Sequence, residues 1–194
     1  MARSASGTRA KSPAKTTALV ARRLAQIGPF LDTGDRIREA LSACDREVHA
    51  AAAREPALTA MGTTVAGVVV MPDQVLAFNV GDSRVYAAGP GGLRQLSTDD
   101  RLSGEDLPPG IVTQALGGID VPTAPDPHLT TSPLSEDTRY LICTDGLTDP
   151  VPDGVLNQTL GQHQDGQAVF ALWKAAMEAG GPDNITIALV RAGT

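Results

Sequence analysis

The order of secondary-structure signals in this chain predicts an α+β sandwich, on three observations. Upstream of Met61, apolar residues recur at helical spacing. Downstream, β-branched apolar runs alternate with Gly/Asp turns. One further helical pattern and a last strand then close the sequence, an arrangement that suits antiparallel sheets flanked by helices better than a parallel βαβ sheet.

Residues 16–27 carry Leu19, Val20, Leu24 and Ile27 on one helical face, with Gly28-Pro29 as the stop. A second helix starts near Asp35. Its stripe is Ile37, Leu41, Cys44, Val48 and Ala51 or Ala52, and Pro56 terminates it. Residues 63–70 read as a strand that ends at Met71-Pro72-Asp73, and 75–80 follow at hairpin distance. Strands at 84–88 and 93–96 surround the Gly89-Pro90-Gly91-Gly92 turn. After a loop-rich stretch, 97–127, come a buried strand at 138–144 and a final one at 184–190. Between them, 167–179 form an amphipathic helix that points Val169, Leu172, Trp173, Ala176 and Met177 inward and stops at Gly180-Gly181.

Composition narrows the class. A chain of 194 residues supports one domain with a sizeable core, assigned here to 16–194. Aromatics make up only 3%, so that core is aliphatic. A net charge of −6 argues against nucleic acid as the partner. Cys44 and Cys143 have no CxxC spacing, which points to a reduced, cytoplasmic protein without a disulfide framework. No apolar run reaches the ~18 residues that span a bilayer, so no membrane is expected. Residues 1–15, with Arg3, Arg9, Lys11 and Lys15, read as a disordered basic tail.

Three aspartates share one local design. Asp82 follows Gly81 and precedes Ser83-Arg84; Asp145 stands between Thr144 and Gly146 at a strand end; Asp183 stands between Pro182 and Asn184 before the last strand. A strand end fixes a carboxylate, and an adjoining glycine lets backbone or an ion approach closely. Hard divalent ions take such oxygens together with water. Each aspartate alone reads more readily as a turn residue than as a ligand, and periodicity does not establish that the three converge.

The ordered strings Met61-Gly62-Thr63-Thr64, Val80-Gly81-Asp82-Ser83-Arg84-Val85-Tyr86, Thr113-Gln114-Ala115-Leu116-Gly117-Gly118, Leu141-Ile142-Cys143-Thr144-Asp145-Gly146-Leu147-Thr148-Asp149 and Gly180-Gly181-Pro182-Asp183-Asn184-Ile185-Thr186 resemble the signature motifs of the type 2C, metal-dependent Ser/Thr protein phosphatases in their compact bacterial form. The resemblance implies an αββα sandwich of two antiparallel sheets flanked by helices. It also implies a binuclear Mg²⁺ or Mn²⁺ centre whose activated water hydrolyses phosphoserine or phosphothreonine in a protein substrate. Carried onto this chain, Asp145 and Asp183 are ligands of the core metals, and Asp82 shares a third, weaker metal with Asp145. Gly81, Arg84, Thr144, Gly146 and Asn184 support them, with Asn184 orienting the last turn. No separate catalytic side chain is implied.

The family's usual first strands, with a phosphate-gripping Arg and an Asp-Gly-Met-Gly-Gly motif whose Asp bridges both metals, are not in this sequence. Its first carboxylate is Asp32. The expectation is therefore of weak or no hydrolysis by the chain as it stands, and of sheet edges left unpaired. A pseudophosphatase that binds a phosphoprotein or a kinase is the competing reading. A haloacid-dehalogenase-like motif at Thr144–Thr148 is discounted, because Cys143 stands where its first Asp would have to be placed. His49, His128 and His163 have no metal spacing and read as solvent-facing. Cys143 reads as a core hydrophobe, and Asp99, Asp100, Glu105 and Asp106 as loop charge.

Overall fold

The computed structural model describes residues 13–27, 32–102, 111–118 and 124–191. Expectations for residues 1–12, for the Gly28-Pro29 stop, and for Glu105 and Asp106 lie outside them. In chain order the elements are α1 (Pro13–Ile27), α2 (Gly34–Arg54), a 3-10 turn (Pro56–Leu58), β1 (Gly62–Thr63), β2 (Val65–Val70), β3 (Gln74–Val80), β4 (Arg84–Gly89) and β5 (Gly92–Gln95). They continue with β6 (Leu116–Gly117), β7 (His128–Pro133), β8 (Arg139–Cys143), α3 (Asp145–Thr148), α4 (Asp153–Gln162), α5 (Asp165–Glu178) and β9 (Ile187–Arg191). The chain divides into two compact units, residues 1–65 with 100–127, and 66–99 with 128–194.

In the first unit, Thr33 caps α2: its Oγ1 accepts from the Arg36 amide at 3.3 Å. The stripe Ile37, Ala40, Leu41, Cys44 and Val48 is buried, as the spacing requires. Asp45 is buried on the same face, and its carboxylate accepts from the Gly117 amide at 2.8 Å. That bond holds the two-residue β1/β6 ladder against α2. Gly117 has φ +74, and a Cβ there would run into Val48 and the Met61 carbonyl, so only glycine fits.

The second unit contains two antiparallel sheets, one ordered β2-β3-β7 and one ordered β5-β4-β8-β9. Strand alternation sorts their side chains. Val85 and Ala87 of β4 and Tyr140 of β8 join Val75 and Ala77 of β3 in one cluster. Tyr86, Leu141 and Cys143 face the other way, into Leu147, Leu156, Leu160, Ala168 and Leu172 of α3, α4 and α5. The unit is thus sheet on sheet with helices over one face, the expected α+β class.

Several boundaries differ from expectation. Residues 13–15, assigned to the tail, are already in α1. The strand expected at 63–70 breaks at Thr64, and the one expected at 184–190 begins only at Ile187. Trp173 and Met177, expected in the core, are 43% and 49% exposed. The face that packs is Ala168, Leu172 and Ala176, because small residues let α5 lie close on the sheet. His49 is half-buried beside Asp45, with Nε2 3.5 Å from the carboxylate, rather than solvent-facing. Asp99 is no loop charge either: it pairs with Arg84.

Candidate metal-binding site

Strand register gathers the three aspartates. The β4/β8 ladder ends on the pair Arg84↔Cys143, and the β8/β9 ladder ends on Cys143↔Ile187. Asp82 lies two residues before Arg84, Asp145 two residues after Cys143, and Asp183 four residues before Ile187. All three therefore sit at one end of the four-stranded sheet.

Thr144 and Gly146 tie two of these segments together. The Thr144 hydroxyl donates to the Asn184 carbonyl at 3.2 Å and accepts from the Thr186 amide at 3.0 Å. The Thr144 amide donates to the Thr186 carbonyl. A Cβ on Gly146 would collide with the Asn184 carbonyl, so the Asp145 turn and the Asp183 turn meet backbone to backbone. Asp183 accepts from the Asn184 amide at 2.7 Å, a local bond that steadies its carboxylate. Asp183 and Asn184 are exposed, Asp145 is half-buried, and Asp82 is buried.

Gly81, with φ +99, turns the chain out of β3 where an L side chain is disfavoured. Asn79, fully buried, spans this turn: its amide nitrogen donates to the carbonyls of Gly81 and Thr98, and its oxygen accepts from the Thr98 amide. The sequence reading missed this residue; its signal is an amide inside an otherwise apolar strand, which has to find partners.

Arg84 engages Asp99 through Nε and Nη2, the shortest contact being 2.6 Å, and donates through Nη1 to the Tyr86 hydroxyl. Tyr86 in turn donates to Asp153 at 3.1 Å. Burial works against the Arg84 charge, but the bonds to Asp99 and Tyr86 more than offset it and hold its pKa above the ordinary value. Burial also pushes the Cys143 thiol up to about 12, so it is a neutral core side chain and no nucleophile.

Carboxylate oxygen is the donor type that Mg²⁺ and Mn²⁺ take. Among the described residues, however, no three His, Cys, Asp or Glu side chains come together closely enough to hold an ion. Asp145 and Asp183 alone do not fit a binuclear centre.

A family model described as protein phosphatase 2C matches residues 2–190. The chain belongs to the protein phosphatase 2C family. Among its relatives, the Ser/Thr protein phosphatase PstP of Mycobacterium tuberculosis is 30% identical over 166 residues, covering 78% of this chain and 32% of that protein. The Ser/Thr phosphatase stp of Listeria monocytogenes is 31% identical over 172 residues, covering 79% of this chain and 66% of its own length. The chain thus spans about a third of PstP. A crystal structure of PstP superposes with a TM-score of 0.79 at 29% identity, covering 90% of this chain and 80% of that one. Another, of the PstP catalytic domain in complex with two manganese ions, gives 0.76. These likenesses make the fold that of a 2C phosphatase, with antiparallel sheets and flanking helices.

Proposed function

We propose that this chain is a phosphatase 2C domain directed at phosphoserine or phosphothreonine in a protein, that Asp145 and Asp183 are its divalent-metal ligands with Asp82 as an auxiliary one, and that its own hydrolytic activity is weak or absent. The single observation that carries the reading is the register that puts these carboxylates at one sheet end, with no third side chain among the described residues closing the shell. Mn²⁺ or Mg²⁺ is the cofactor that suits the donors. Both cysteines are free and buried, which accords with a reduced, cytoplasmic setting.

The test is Mn²⁺ calorimetry on the chain beside p-nitrophenyl phosphate hydrolysis, with Asp145→Asn as control. Weak, Asp145-dependent binding with little or no turnover is the expected result. Robust metal-dependent turnover that Asp145→Asn abolishes would overturn the prediction of weak activity, and no metal binding would remove the ligand assignment.

A second reading, a pseudophosphatase that binds a phosphoprotein or a kinase, is favoured by the same unclosed shell. Binding of a phosphothreonine peptide that is unaltered by EDTA and by Asp145→Asn would support it over the first.

A further inference from the structure

Far from the aspartates, the four-stranded sheet places two arginines directly opposite each other: Arg139 opens β8 and pairs with Arg191, which closes β9. Like charges face to face across a ladder are unfavourable unless something compensates them. Part of the compensation is Asp165, the first residue of α5. Its Oδ1 accepts from Arg139 Nη1 at 3.3 Å and from Arg191 Nη2 at 3.1 Å, and its Oδ2 accepts from Arg191 Nε at 3.3 Å. The Arg191 bond, opposed by partial desolvation and helped by Arg139, holds the Asp165 carboxyl below its usual range. Asp137 adds a longer-range negative charge near Arg191.

Neither carboxylate lines the adjoining cavity. That space, about 220 Å³, is walled by Arg139, Arg191, Gln162, His163, Gln164 and Gly161, together with Leu160. Its lining residues include two arginines, two glutamines and a histidine, and no acid. Arg139 is locked in place, since it also donates to the carbonyls of Leu160 and His163 at the end of α4. Its side chain is only 15% exposed, whereas that of Arg191 is 48% exposed and reachable. No partner within the described residues occupies Arg191 Nη1 or the side-chain amides of Gln162 and Gln164. The α5 amides next to this wall have no side-chain cap. Arg139 is held by the two carbonyls and Asp165 and contributes charge, while Arg191 keeps Nη1 for a ligand; a guanidinium N–H beside a cavity with no acid among its lining residues suits an oxyanion.

We infer that the cavity between Arg139 and Arg191 is a binding site for a phosphoryl group, separate from the carboxylate end of the sheet. Asp145 lies six positions after Arg139 along β8 and its continuation, about 20 Å at the rise of an extended strand. The inference therefore stands apart from the metal-ligand reading.

The experiment is calorimetric titration of the full chain in EDTA with orthophosphate and, separately, with O-phospho-L-serine. The variants are Arg191→Gln, which removes the exposed guanidinium, and Gly161→Glu, which adds an acid where a Cβ meets nothing within 4 Å. Asp145→Asn controls for binding at the other end. Saturable binding of either probe, weakened at least tenfold by both variants and unchanged by Asp145→Asn, is expected; the better probe shows whether the site takes free phosphate or a phosphomonoester. No saturable binding by the parent chain overturns the inference. So does binding that Arg191→Gln leaves intact in a variant with the parent's melting temperature, or binding that only Asp145→Asn removes.

Discussion

The Asn184 carbonyl occupies the space that any side chain on Gly146 would need. The obstacle is backbone, which cannot rotate aside as a flexible side chain can. Gly146→Ala should therefore force the turns carrying Asp145 and Asp183 apart, at a cost of about 1–3 kcal/mol. Urea denaturation of parent and variant would measure it, and equal midpoints would contradict the close approach.

Thr144→Val removes the hydroxyl that joins the same two turns while keeping the side chain's shape. Both bonds are solvent-exposed and water can replace them in part, so a destabilisation of about 0.5–1.5 kcal/mol is expected. If Asp145 and Asp183 bind metal together, Mn²⁺ affinity should also fall by about tenfold, as for other supports of ligating groups. Thr144→Ser keeps the hydroxyl and should restore both quantities. Calorimetry and thermal melts on the three proteins decide this.

Asp45→Ala strands the buried Gly117 amide, at about 1–3 kcal/mol. Asp45→Asn should cost less, because the amide oxygen can still accept. Chemical denaturation of the two variants gives the order; a larger loss for Asn than for Ala would exclude the hydrogen bond as the cause.

How much of this was legible in the sequence depends on whether a local pattern carried the information. The α2 stripe and the short strands were readable because period 3.6 and period 2 are properties of single elements. β7 was not, since Thr130, Thr131 and Ser132 give it no apolar alternation, and α4 hid behind Pro152, Asp153 and Gly154. For the candidate site, Asp82 and Asp145 lie two residues from strand ends as expected, whereas Asp183 stands four residues before β9; that all three lie at one end of the sheet depends on ladder register, which no single segment encodes. Asp45 was invisible for the same reason: its partner lies 72 residues away.

The expected stripe of α5 held at Leu172 and Ala176 and failed at Trp173 and Met177, where size pointed inward and the helix turns outward. Ala168, Leu172 and Ala176 pack, while Phe170 and Trp173 stack on the outer surface with ring centroids 5.8 Å apart. Leu172→Ala should cost about 2–5 kcal/mol, whereas Trp173→Ala should cost under about 1 kcal/mol. Equal losses in a denaturation series would contradict the packing face.

Alkaline pH should weaken the fold through its buried thiols. Burial raises Cys44 from 9.0 to about 11 and Cys143 from 9.0 to about 12. In both cases the folded pKa exceeds the unfolded one. The contribution is thus fully present below pH 9 and is lost as pH rises through about 11 and 12. Denaturation midpoints at pH 7.5 and 10.5 should differ, and Cys44→Ala should narrow the difference; an unchanged gap would assign it to other groups.

The outward position of Trp173 also decides what light can report. It is the sole tryptophan in the chain, so intrinsic emission from the folded protein will already be that of a solvated indole. Unfolding will change the colour little, and a fluorescence melt will understate the transition. What the indole can sense is contact: a molecule settling over α5 would shift the emission to the blue, making the native chromophore an optical sensor of docking.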